Sequence, residues 1–137
     1  MNNYLKAEFD AKGINESLAR IIVAGFVMPL DPTIEQLADI KTAVSEAVTN
    51  SIIHGYENRK GQIILELKLE ERLLTAKISD EGIGIPDIEA AREPLYTSKP
   101  ECDRSGMGFT VMESFMDTLH IISELNCGTT VIMTKQL

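Results

Sequence analysis

The sequence predicts one mixed α/β domain, because residue patterns of two different periods interleave along it. Leu5, Ala7 and Phe9 alternate with Lys6 and Glu8, and Ile63, Leu65, Leu67 and Leu69 alternate with Glu66, Lys68 and Glu70. Between these runs, Leu37, Ile40, Val44, Ala47 and Val48 fall on one side of a helix drawn at about 100° per residue. A period of two gives a strand with one buried face, and a period of 3.6 gives a helix with one buried stripe. The length is sufficient for a core: 137 residues, 44% of them hydrophobic.

Taken in order, Leu5 to Phe9 predicts a first strand. Asn15 then caps a helix from about Glu16 to Met28, which Pro29 to Pro32 breaks. Thr33 with Gln36 three positions on forms a capping box that starts a long helix running toward His54. Asn58 to Gly61 is a turn. The alternation from Ile63 resumes after Glu71-Arg72 at Leu74, Ala76 and Ile78, which predicts a β-hairpin. From Gly82 to Ser105 the pattern dissolves into Gly, Pro, Ser, Thr and charges, the composition of either a disordered stretch or a functional lid at about 86–105. A helix from about Gly106 to Met116 follows. Two closing strands, Leu119 to Leu125 and Thr129 to Thr134, flank an Asn126-Cys127-Gly128 turn.

Charge limits the partners. Lys plus Arg total 13 against 21 Asp plus Glu, a formal net charge of -8. Such a chain offers no long-range attraction to nucleic acid or to an anionic membrane, and neither is expected as a direct partner. A bound nucleotide must therefore be held by local donors and a metal ion. Cys102 and Cys127 stand far apart with no Cys or His at metal-ligand spacing, so a reduced cytosolic protein is expected. Met1 to Phe9 has no basic or apolar leader pattern, and no apolar run reaches the roughly 20 residues that span a bilayer.

Three polar clusters carry the chemistry. Glu46 and Asn50, four apart, share a helix side away from the core stripe. A carboxamide oxygen there can ligate Mg²⁺, and a carboxylate can accept a proton from an attacking hydroxyl. Asp80, Gly82 and Gly84 follow a strand, where an Asp can accept the exocyclic amine of adenine and glycines let the backbone pass close to a flat ring. Ser105-Gly106-Met107-Gly108 opens a helix, whose unpaired N–H groups attract phosphate. Each cluster alone is an ordinary solvated helix face, loop or cap. The second is not a dinucleotide fingerprint, since its third glycine is missing and Pro86 follows.

Their order, closed by Gly128-Thr129-Thr130 on a late strand, resembles the ATP-binding superfamily of gyrase, the heat-shock chaperone, histidine kinases and mismatch-repair ATPases, over nearly the whole chain. The resemblance implies an α+β sandwich, a mixed, largely antiparallel sheet with helices on one face. It implies ATP or ADP and Mg²⁺ as cofactors, with Asn50 on the metal and Asp80, Gly82 and Gly84 at adenine. Ser105, Gly106, Met107, Gly108 and Phe109 would surround the phosphates, and Thr130 would support Asp80 and adenine. The run Glu46-Ala47-Val48-Thr49-Asn50-Ser51-Ile52-Ile53-His54-Gly55-Tyr56 is similar to that of the anti-sigma-factor serine kinases.

That narrower resemblance implies a protein serine kinase in which Glu46 orients or deprotonates the incoming hydroxyl. It also implies two partners, a sporulation sigma factor that is inhibited and an anti-anti-sigma protein that is phosphorylated. Lys99 and Arg104 flank the end of the lid and are the nearest basic candidates for the γ-phosphate, with a surface role open for both. His54 suits a structural hydrogen bond near the helix end, His120 a surface position, and the scattered methionines packing. Leu18, Ala19, Ile21, Ile22, Val23, Ala24, Phe26 and Val27 cover nearly the whole circumference of the first helix, so a homodimer interface or full burial is expected there. Two other functions stay open: a nucleotide-switched binding module without kinase activity, and a histidine-kinase catalytic domain acting in trans.

Overall fold

A computed structural model describes residues 1–85 and 108–137. The lid at about 86–105 and the residues Lys99, Arg104, Ser105, Gly106 and Met107 lie outside the described residues. Five strands, β1 (Asn2–Asp10), β2 (Gln62–Glu70), β3 (Leu73–Asp80), β4 (Thr118–Glu124) and β5 (Gly128–Gln136), form one sheet in the order β1-β2-β3-β5-β4. Every pairing among them is antiparallel, in line with the largely antiparallel sheet expected. Among the described residues the α-helices are α1 (Gly13–Val27), α2 (Ile34–Asn50) and α3 (Gly108–Phe115), with α2 packed between the other two.

The strand alternation decides which face the helices cover. Phe9, Ile63, Leu65, Leu67, Leu69, Leu74, Ala76, Ile78, Val131 and Met133 are buried on the inner face with Ile40, Val44, Ala47 and Val48 of α2. Truncating one such leucine to alanine typically costs about 2–5 kcal/mol. Asp80 falls on the same inner face as Ile78 because it lies two residues farther along the strand. A carboxylate is thereby carried to the rim of the core.

Helix boundaries follow local chemistry. The capping box forms as read: the Gln36 N–H donates to Thr33 Oγ1 at 3.0 Å and the Thr33 N–H donates to Gln36 Oε1 at 2.9 Å. Asn15 does not cap α1, which starts two residues earlier, after Lys12. Its Nδ2 instead donates to the Asp10 carbonyl at 2.8 Å, tying the helix to the end of β1. Beyond Asn50, α2 widens into a π-helical turn, Ser51–Gly55. Such insertions favour functional sites because they redirect side chains that a regular helix would send elsewhere.

The first helix is half covered. Ala19, Val23, Phe26 and Val27 enter the core, whereas Ile14, Leu18, Ile21 and Met28 form an outward stripe, with Ile14 78% and Ile21 69% exposed. The full burial held open for this segment does not occur within the chain. Contrary to the count of apolar runs, Gly13–Leu30 has the length and composition of a candidate membrane span, with a mean hydropathy of 1.3 over 18 residues. Its inner side is part of the domain core, which is also how a core helix passes that test. His120 and Cys127 are exposed.

Candidate functional site

The site lies where the C-terminal end of α2, the end of β3, the start of α3 and the β4–β5 turn converge. Glu46 and Asn50 are both half-buried, one turn apart on α2. Ser45, just before Glu46, donates its hydroxyl to Glu16, which fixes this part of α2 against α1. Gly108 opens α3 so close to α2 that a Cβ added to it would lie 3.6 Å from Glu46 Oε2. Gly108 of the third cluster and Glu46 of the first, far apart in sequence, therefore meet across one gap.

At the other end, Asp80 is only 6% exposed and its carboxylate is held by the backbone. Oδ1 accepts the Gly82 N–H at 2.9 Å and the Thr129 N–H at 3.2 Å. Burial pushes its pKa above the usual carboxylate range, and the bonds from Gly82, Ser51 and Thr129 oppose that rise. Ser51, the first residue of the π-helical turn, thus reaches Asp80 while its neighbour Asn50 stays near Glu46.

The loop after Asp80 is stitched on two sides. Ile83 N–H donates to the Gly55 carbonyl at 2.9 Å, the Ile83 carbonyl accepts the Asn126 N–H at 2.6 Å, and Ile85 N–H donates to Ser123 Oγ at 2.7 Å. Gly82 packs directly on the Gly55 carbonyl, where any Cβ would clash with backbone. Gly84 adopts φ +80° against the Glu124–Leu125 backbone, so it closes the loop onto the β4–β5 turn.

Two expectations shift in detail. Thr130 pairs with Ser79, and its hydroxyl donates to Ser79 Oγ at 3.3 Å on the outer face of the sheet. Thr129, buried opposite Asp80, is the residue that supports the carboxylate. The support comes from the Thr129 backbone N–H, while the Thr129 hydroxyl pairs with Ser123 Oγ at 3.0 Å. Phe109 belongs to the core, so its ring packs beneath the site and leaves only backbone for a ligand. Ser51, Gly55 and Thr129 touch the Asp80 carboxylate, and the motif reading did not select them.

Among the described residues, no cluster of three His, Cys, Asp or Glu side chains is arranged to hold a metal. Mg²⁺ does not require one, since it keeps several waters and takes phosphate oxygens with one or two protein ligands. Asn50 beside Glu46 fits that sparse donor set.

Residues 14–135 match the histidine kinase-like ATPase domain, so the chain belongs to that family. Its relatives narrow the kinship. The chain is 59% identical to the anti-sigma F factor of Clostridium kluyveri over 134 residues, covering 98% of this chain and 94% of the relative. It is 57% identical to that of Clostridium perfringens, covering 100% and 99%, and 54% identical to that of Bacillus licheniformis, covering 100% and 94%.

Proposed function

We propose that this chain is a cytoplasmic, ATP-dependent protein serine kinase that also inhibits a sigma factor, as the names of its relatives suggest. The observation that carries the kinase reading is the approach of Gly108 to Glu46, one turn from Asn50; in this reading they share one cleft with Asp80 at its far end. Asp80 accepts the adenine amine. By the motif, the backbone amides of Gly106 and Gly108 would hold the phosphates, and Asn50 would hold the Mg²⁺ that neutralises their charge. Glu46 then meets the substrate hydroxyl at the α3 end and takes its proton as the phosphoryl group transfers. The protein supplies position and charge more than covalent chemistry.

The test is transfer itself. ATP labelled on its γ-phosphate is incubated with the chain, Mg²⁺ and the anti-anti-sigma partner. An acid-stable phosphoserine is expected. An acid-labile product would identify a histidine kinase, and absence of transfer to any partner would leave a nucleotide-switched binding module.

The outward stripe of α1 supports a homodimer, with the sigma factor bound across or beside it. Four large apolar side chains aligned on one helix face are more than a monomeric surface usually leaves together. Light scattering at micromolar concentration is expected to give twice the chain mass, and Ile21→Glu is expected to return the monomer. A monomeric mass for the parent chain would remove the dimer.

A further inference from the structure

The Gly55-Tyr56 segment takes no part in phosphate chemistry, yet it is packed against the adenine end of the cleft. Gly55 lies flat on the Asp80 carboxylate, and a Cβ there would sit 2.9 Å from Oδ2. Tyr56 closes the turn from the other side. Its hydroxyl accepts the Glu81 N–H at 2.7 Å and donates to the Gln62 carbonyl at 2.6 Å. The bond to Gln62 requires a protonated phenol, while the bond from Glu81 uses only an oxygen lone pair. Burial, and then the charge of Asp80, pushes its pKa above the ordinary value, so the proton is kept at neutral pH. The ring lies over Gly61, where any side chain would strike it.

We propose that Tyr56 is a positioning residue for base selection: it ties the Asp80–Glu81 peptide to the start of β2 and so fixes the direction in which Asp80 faces a purine. The Glu81 N–H belongs to the same planar unit as the Asp80 carbonyl, so holding it holds the backbone from which the carboxylate projects. The side-chain bonds to Gly82 and Thr129 set the rotamer; the Tyr56 bond sets the platform. Direction matters because a six-amino purine presents a donor where a six-oxo purine presents an acceptor beside an N1–H. A carboxylate free to shift can reach that N1–H and loses its preference. The proposal rests on reading the cleft as an ATP site.

Tyr56→Phe keeps the ring and removes the hydroxyl, and calorimetric titration with Mg-ATP and Mg-ITP on the full chain reads the result. The ATP Kd is expected to rise about tenfold while the ITP Kd changes less than about threefold, so the preference for ATP narrows. Gly61→Ala, which displaces the ring without touching the cleft, is expected to narrow it as well. Equal weakening of both nucleotides would reduce Tyr56 to general support and overturn the proposal, as would unchanged affinities. A parent chain that binds neither nucleotide would instead overturn the ATP-site reading on which the proposal stands.

Discussion

Asp80→Asn is expected to weaken ATP binding about a hundredfold or more without unfolding the chain. Oδ1 is pinned by the N–H groups of Gly82 and Thr129, so the amide oxygen of asparagine must take that place. Its NH₂ then occupies the Oδ2 position and faces the adenine amine, donor against donor. A charge-assisted hydrogen bond of about 1.5–3 kcal/mol is lost and an unpaired donor is added. The stability effect has the opposite sign. Burial raises the folded pKa of Asp80, so its stabilising contribution is complete below the unfolded pKa and is lost as pH rises through the folded value. At pH 7 the ionised group is a cost, which asparagine does not carry. The nucleotide-free variant is therefore expected to melt no lower than the parent at pH 7, with any advantage fading as pH falls through the carboxylate range. Thermal melts across that range, with and without Mg-ATP, check both halves. A variant that melts lower without nucleotide yet keeps its ATP-induced shift would contradict them.

Glu46→Ala is expected to lower phosphoryl transfer by about 10²–10⁴-fold, the usual contribution of a positioned base, while the ATP Kd changes by less than about threefold. The separation follows from placement. Glu46 borders the opening of α3 beside Gly108, whereas adenine recognition is assigned to Asp80, Ser51 and Thr129 at the other end. Glu46→Gln keeps the shape but not the basicity and is expected to lose transfer as fully. Single-turnover rates alongside calorimetry distinguish the cases, and a variant that loses nucleotide affinity in step with transfer would contradict the role given to Glu46.

The strands and the capping box were legible because period-two alternation and the Thr33–Gln36 pair are local signals that tertiary packing reinforced. The pairing of Glu46 with Asn50 was equally local, one helical turn apart. Its meeting with Gly108 was not, because it depends on how α3 packs on α2. The Thr129 N–H that reaches Asp80 was not legible, since no local pattern states which backbone group meets a side chain on another strand. Ser51 was missed because regular helix geometry continues past Asn50, and nothing in the sequence announces the π-helical turn that redirects it. The structure shows how tightly the Asp80 turn is held.

The central claim is that three separate clusters form one nucleotide site, and a crystal structure of the chain with Mg²⁺ and a non-hydrolysable ATP analogue tests it most directly. The predicted result places the adenine amine on Asp80, the metal on Asn50 and the γ-phosphate between the start of α3 and Glu46. A nucleotide bound elsewhere, or one whose base avoids Asp80 while its phosphates lie far from Gly108, would contradict the account.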